Sequence, residues 1–147
     1  MKYPDNITRA ELLKSDTAAK KGIDNTPTSQ EHERHLCNTA WWLQELRTKL
    51  RKIKNRKLVI IISSGYRTPE LNTAVKGSRT SDHMEGLAAD FKVPGMTVAQ
   101  VVEFIIENMD GYDQVINEYD RWVHVGLPRK QALKAVKVNG KTQYLFI

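Results

Sequence analysis

Features that mark membrane-spanning, disulfide-bonded or repeat proteins are scarce in this sequence. Its 147 residues include one cysteine, Cys37, which excludes an intramolecular disulfide. The longest apolar run is LVIII at 58–62, which is far too short to cross a bilayer. The first residues, MKYPDNITRAELL, contain no apolar signal core, and the chain shows no internal repeat. These absences predict a single domain over residues 1–147 that is synthesised in the cytoplasm without a transmembrane segment.

Positive charge is the main compositional excess. Lys and Arg number 23 against 17 Asp and Glu, which gives a formal net charge of +6. Much of this charge lies in RTKLRKIKNRK, residues 47–57. One interpretation is the solvated end of a helix, where cations are favourable. The other is a surface for a polyanion such as nucleic acid, anionic lipid or an acidic cell-wall polymer. No aromatic residue interleaves with these cations, which argues against specific nucleic-acid recognition.

Helix signals dominate the first third of the chain. Thr8 with Glu11 and Thr28 with Glu31 have the spacing of capping boxes, which begin helices. Leucine and alanine then recur at helical spacing, so residues 29–50 are predicted to form a long amphipathic helix. The segment 22–29 between the two helices is predicted to be a loop.

Strand signals dominate the rest of the chain. KLVIIISSG is an apolar, β-branched run that predicts a buried strand, and a short helix is expected after it in YRTPELNTAV. Alternating side chains predict strands over 87–93, 113–118 and 122–127, with a capped helix from Thr97 between the first two. Asn139-Gly140 predicts a hairpin in the tail. The predicted class is therefore α+β, with N-terminal helices packed on a mostly antiparallel sheet.

One histidine and one carboxylate fall on predicted strands, where such groups are rarely buried without a partner. If the strands are neighbours, Asp90 and His124 can share a face, and His83 can reach them from a loop. Two imidazoles and a carboxylate with an open fourth position are typical of a catalytic zinc site. The alternatives are a satisfied core histidine at 124 and a structural ion pair between Asp90 and Lys92.

A metal at this position would acidify a bound water, and a carboxylate that is not a ligand could then accept its proton. Glu118, six residues before His124, is the first candidate for this base. Asp120 is the reserve.

Three segments of the chain resemble the zinc D-Ala-D-Ala carboxypeptidase family. SDHMEGLAAD, residues 81–90, matches the family pattern S-x-H-x-x-G-x-A-x-D at every specified position. SSGYRTPELN, residues 63–72, resembles the family's S-G-Y-R segment, and RWVHVG, residues 121–126, resembles its last metal-ligand strand. The opening residues are similar to the branch of the family found in phages and bacteria. The resemblance extends from about residue 8 to residue 127.

The resemblance implies roles for particular residues. His83, Asp90 and His124 would bind Zn²⁺, and small residues at Gly86 and the neighbouring alanines would leave space for the ion. Arg67 would hold the substrate's carboxylate or a developing oxyanion, to which a forked cation is suited.

Ser81 would position the substrate or its own loop. Many relatives place the catalytic acid three residues before the last histidine, where this chain has Arg121, which cannot act as a base. Hedgehog signalling domains, which share the zinc scaffold, place a glutamate six residues before that histidine, and Glu118 occupies this offset.

The function implied is a zinc-dependent peptidase that hydrolyses peptidoglycan stem peptides as a D,D-carboxypeptidase or an endopeptidase. The absence of a signal peptide suits a phage endolysin that is made in the host cytoplasm and acts on the cell wall after release. The alternative, favoured by Arg121, is a non-catalytic zinc-containing binding or phage structural module. The bond cleaved and the oligomeric state stay open.

Overall fold

The computed structural model describes residues 1–129, 133–138 and 140–146, and for the strands within the last two ranges it describes the backbone alone. Five α-helices occur in this part of the chain: α1 (Arg9–Leu13), α2 (Asp16–Lys21), α3 (Gln30–Ile53), α4 (Pro69–Ala74) and α5 (Val98–Asn108). None of these helices combines the length and the hydropathy that a membrane span requires.

Capping residues account for where the helices begin. Both capping-box hydrogen bonds are present at Thr8, before α1, and at Thr97, before α5, as predicted. At α3 the predicted cap is wrong by one residue. Ser29, and not Thr28, accepts the hydrogen bond from the backbone N–H of His32, so the helix begins at Gln30. Helix α2, which Ser15 caps, was not predicted because it is too short to show a hydrophobic period.

Four antiparallel strands form the main sheet in the spatial order β1-β2-β4-β3. They are β1 (Ile61–Ser64), β2 (Ala88–Lys92), β3 (Gln114–Glu118) and β4 (Trp122–Gly126). Strands β5 (Leu133–Val138) and β6 (Lys141–Phe146) pair antiparallel in a second, two-stranded sheet, as the hairpin prediction expected. Asn139, the first residue of the predicted turn, lies outside the described residues. The α+β class is confirmed.

Strand β1 is not the buried strand that its sequence predicted. Leu58 and Ile60 are buried, but they precede the strand, and Ile61 within it is 55% exposed. The reason is topological, since β1 lies at an edge of the sheet and, among the described strands, pairs with β2 alone.

Alternation along β2 and β4 separates a core face from a polar face. Ala89 and Phe91 of β2 lie opposite Val125 and Val123 of β4, and all four are fully buried. They belong to one hydrophobic cluster that also contains buried side chains of α3 and α5, among them Leu43, Leu46, Phe104 and Ile105. Because successive side chains point to opposite faces of a strand, the residues between them, Asp90 and His124, lie on the other face.

Candidate metal centre and cleft

Asp90 and His124 are brought together by strand register. They lie directly opposite each other on β2 and β4, and His124 Nδ1 is 2.8 Å from Asp90 Oδ1. Strand β1 continues the same row, because Ser64 pairs with Asp90. Between Ile62 and Ser64 the register shifts by one residue, a β-bulge, and the hydroxyl of the extra residue, Ser63, donates to the carbonyl of Asp90 at 3.2 Å. The predicted neighbouring strands are thus observed, with Asp90 on the central pair.

His83 enters from a one-turn 3-10 helix, Asp82–Glu85, and is 2% exposed. Its Nδ1 lies 2.6 Å from the carbonyl oxygen of Gly65. A carbonyl can only accept, so Nδ1 carries the hydrogen and Nε2 presents a lone pair. That Nε2 atom is buried without a hydrogen-bond partner and lies 3.3 Å from Asp90 Oδ2. Two electron-rich atoms this close in a buried position are stabilised when a cation joins them.

The three side chains therefore fit a metal ion. One ligand atom from each of His83, Asp90 and His124 lies within 4.8 Å of the others, and this is the one such group in the described part of the chain. Imidazole nitrogen and carboxylate oxygen are ligands that zinc accepts, and three protein ligands leave a position open for water or substrate.

Asp90 is ionised in this setting. Burial alone would raise the pKa of its carboxyl, but the hydrogen bond with His124 is the largest of the effects that outweigh burial, and the pKa lies well below its usual range. Arg67 adds a fixed positive charge, with Nη2 3.8 Å from Asp90 Oδ2. The carboxylate is thus prepared to act as an anionic ligand.

Several hydrogen bonds hold Arg67 beside these three side chains. Its Nε donates to Ser64 Oγ at 3.2 Å, and its Nη1 donates to Asn72 Oδ1 at 2.9 Å. Its backbone N–H donates to the carbonyl of His83 at 3.0 Å. Burial lowers the pKa of the guanidinium and the charge of Asp90 opposes that shift, so Arg67 remains a cation.

The predicted site residues share one cleft of about 730 Å³. Its lining includes His83, Asp90, His124, Arg67, Ser81 and Glu118. Ser81 caps the 3-10 helix by accepting a hydrogen bond from the backbone N–H of His83 at 3.2 Å, so it fixes the loop that carries a ligand. Glu118 is the last residue of β3 and lies opposite Trp122.

Asp120, the reserve base, is placed elsewhere. Its carboxylate accepts a hydrogen bond from Asn117 Nδ2 at 2.8 Å, and it lines a separate groove with Arg121 and Lys92. Glu118 is therefore the candidate base that the structure brings into the cleft.

Comparison with known proteins identifies the family to which this chain belongs. The family model described as Peptidase M15 matches residues 5–126. The chain belongs to the M15 peptidase family. No curated protein matches the sequence. The resemblance to zinc D-Ala-D-Ala carboxypeptidases is thereby confirmed, and zinc is the metal on which M15 peptidases depend. The His83–Asp90–His124 cluster is where this chain can hold it.

Gly86, which lies within the segment 81–90 that resembles the family pattern, has a packing role that the sequence did not predict. Its φ is +77°, and a Cβ there would lie 2.6 Å from the carbonyl oxygen of His32 and 3.0 Å from Leu36 N. The glycine thus allows the turn after the 3-10 helix to pack against α3.

The sequence did not predict the residues that fix Arg67 and His83 in the candidate M15 site by hydrogen bonding. Asn72 is 3% exposed, accepts from Arg67 and donates its Nδ2 to the carbonyl of Ser78 at 2.9 Å. Gly65 supplies the carbonyl that fixes His83, and Ser64 supports Arg67. Gly65 and Ser64 belong to the same S-G-Y-R segment as Arg67, and that shared motif could have identified them. Asn72 has no local pattern that marks it.

Proposed function

We propose that this chain is a zinc-dependent peptidase that hydrolyses peptidoglycan stem peptides, either as a D,D-carboxypeptidase or as an endopeptidase. The observation that carries the proposal is the convergence of His83, Asp90 and His124 in a cleft that Arg67 and Glu118 also line. Membership of the M15 family supports peptide hydrolysis of this type.

In this proposal His83, Asp90 and His124 are the zinc ligands. When bound, zinc supplies Lewis-acid polarisation of a carbonyl and lowers the pKa of water toward neutrality. Gly65 fixes His83 in the tautomer whose Nε2 is free to coordinate. The anionic state of Asp90 offsets the charge of a dication in a buried place.

Glu118 transfers the proton in this proposal, and Arg67 stabilises the negative charge. Glu118 accepts a proton from the attacking water and delivers it to the leaving amine, which is the usual double role of a carboxylate in peptide hydrolysis. Arg67, fixed by Ser64 and Asn72, presents a preorganised cation to the negative charge that develops on the carbonyl oxygen or to a terminal carboxylate. Ser81 holds the His83 loop in register with the cleft.

The biological setting in this proposal is that of a phage endolysin-type enzyme. Such a protein is made in the host cytoplasm and reaches the cell wall after release. Its net charge of +6 favours approach to an anionic envelope. The partner is the stem peptide, with no specific nucleic acid.

Mass spectrometry of peptidoglycan fragments tests this function. Fragments are incubated with zinc-loaded protein, and with protein kept in excess chelator as the control. Loss of a terminal alanine identifies a carboxypeptidase, and cleavage inside the stem or cross-link identifies an endopeptidase. Unchanged fragments, with zinc shown to be bound, would contradict the proposal.

A non-catalytic zinc module is the second candidate, and Arg121 is the observation that favours it. This residue occupies the offset at which many relatives carry the acid, and it lines a groove other than the cleft. Replacing Glu118 by Gln separates the two functions. An enzyme keeps its zinc and loses turnover by about 10²-fold or more, whereas a binding module loses nothing. The matched variant Asp120→Asn shows which carboxylate acts, since loss of turnover there would overturn the role of Glu118.

A further inference from the structure

The turn between β3 and β4 has an unusual backbone for its sequence. Tyr119 has φ +57° and Asp120 has φ +58°, and the N–H of Arg121 donates to the carbonyl of Glu118 at 2.9 Å. Two successive positive φ values inside such a bond are the mark of a type I′ turn, for which Asn-Gly is the preferred pair. A tyrosine in the left-handed region is sterically disfavoured.

Local hydrogen bonds hold this turn in place. Asn117 Nδ2 donates to Asp120 Oδ1 at 2.8 Å, and the backbone N–H of Asp120 donates to Asn117 Oδ1 at 2.8 Å. These bonds fix the second position of the turn, and among the described residues no side-chain hydrogen bond is made by the first position, Tyr119. Strained residues that persist are concentrated at functional sites, so Tyr119 calls for a functional explanation.

Burial does not explain Tyr119. The residue is 82% exposed, the largest exposed fraction among the large hydrophobic residues whose burial is described. Its ring meets the ring of Trp122 edge to face, with centroids 6.3 Å apart and planes at 64°. Both rings line the cleft together with Glu118 and His124. The turn therefore presents two aromatic surfaces, inclined at 64° to each other, beside the candidate site.

We propose that Tyr119 and Trp122 form a substrate-binding surface that stacks against a flat, CH-rich face of the substrate. Aromatic rings bind such faces with little loss of conformational entropy, because each ring has only two side-chain torsions. Within peptidoglycan this chemistry has two sources: a saccharide ring next to the stem, and the aliphatic part of a stem side chain. The identity of the substrate rests on the proposed function, but the surface itself does not.

Tyr119→Asn tests the proposal, because asparagine tolerates the left-handed backbone and removes the ring. We expect the melting temperature to rise by about 2–4 °C as the strain is relieved. We also expect binding of a disaccharide-pentapeptide fragment to weaken about tenfold, which is the loss of one good stacking contact. Tyr119→Phe keeps the ring and should bind like the parent. Calorimetric titrations are made in the zinc-loaded Glu118→Gln background, so that they do not depend on turnover.

Comparing the disaccharide-pentapeptide with the same pentapeptide without sugar shows whether the aromatic surface binds a sugar ring or the stem peptide. Weaker binding of the disaccharide-pentapeptide alone supports the surface and assigns it to a sugar ring. Equal weakening for the pentapeptide without sugar supports the surface and assigns it to the stem. Unchanged binding of both fragments, failure of the parent to bind either, or a lower melting temperature in Tyr119→Asn overturns the proposal. Normal cleavage by Tyr119→Asn with unchanged binding would overturn it and leave the proposed function intact.

Discussion

Gly77 lies against the guanidinium of Arg67. A Cβ at this glycine would be 2.6 Å from Arg67 Nη1 and 2.1 Å from Asn72 Oδ1, which is closer than such atoms can approach. The φ of Gly77 is not in the left-handed region, so the residue is needed for space and not for its backbone conformation. The hydrogen bond between Arg67 and Asn72 thus depends on the absence of one methyl group.

Gly77→Ala should displace Arg67 and lower kcat/KM on peptidoglycan fragments by about tenfold or more, since a displacement of this size misaligns a preorganised cation. Gly22→Ala is the control. Gly22 has φ +65° with nothing within 4 Å of its Cβ position, so its substitution costs about 1 kcal/mol of stability without touching the cleft. Equal activity in the two variants would contradict the role of Gly77.

Removing the carboxylate of Asp90 should remove the metal. Asp90→Asn is expected to weaken zinc binding by about 100-fold or more and to abolish the rise in melting temperature that zinc gives the parent protein. Competition with a chromophoric chelator measures the affinity. Asp113→Asn, at an exposed position, should bind zinc like the parent. Stoichiometric, tight zinc in Asp90→Asn would show that the metal lies elsewhere.

A second ion-pair cluster should make stability depend on pH. Arg9 donates from Nε to Glu33 Oε1 at 2.9 Å, and Tyr3 Oη donates to Glu33 Oε2 at 2.8 Å. The hydrogen bond from Arg9 holds the pKa of Glu33 below its normal value of 4.5. Because the folded pKa is the lower one, this stabilisation is complete above the normal pKa and is lost as the pH falls through the folded pKa.

Glu33→Gln should therefore cost about 0.5–1 kcal/mol of unfolding free energy at pH 7, a modest value because the pair is partly exposed. Urea unfolding at several pH values should show the difference from the parent shrinking below about pH 4.5. Glu107→Gln, at an exposed position of α5, should show no such trend. A difference that stays constant with pH would rule out ionisation as its cause.

The cationic segment 52–57, which spans the C-terminal end of α3 and the turn after it, should bind the protein to an anionic cell wall. Lys52, Lys54, Arg56 and Lys57 are all exposed. Arg56→Glu with Lys57→Glu is expected to reduce cosedimentation with intact wall material at low salt, and added salt should reduce the parent's retention in the same way. Cleavage of small soluble fragments should be unaffected. Lys20→Glu with Lys21→Glu makes the same charge change on α2, and equal loss there would show that net charge alone decides.

Much of the fold and part of the candidate site could be predicted because both depend on short-range patterns. Alternation along 87–93 and 122–127 placed Asp90 and His124 on the face opposite the core, and the structure has them opposite each other. Capping residues located two helix starts for the same reason, since a cap acts within one turn.

The supporting residues could not be predicted because their hydrogen bonds are to irregular turns that no repeating pattern marks. Asn72 lies within α4 and bonds both Arg67 and the carbonyl of Ser78, and the exposure of Ile61 follows from the edge position of β1. Neither the hydrogen bonds of Asn72 nor the exposure of Ile61 follows from the spacing of polar and apolar residues along the chain. The strain at Tyr119 is likewise invisible in a sequence that lacks Gly or Asn at that turn.

The strand order β1-β2-β4-β3 has a consequence for how the protein folds. Strand β4 lies between β2 and β3 in the sheet, although it follows both of them in the chain. Asp90 is separated by 34 positions from its partner on β4, and this pairing is of the non-local kind that slows folding. Until β4 pairs with it, β2 has one unpaired edge, and the proposed zinc site lacks His124. In the proposed zinc site, binding therefore requires the pairing of β2 with β4, so zinc uptake during refolding can serve as a time-resolved reporter of that pairing.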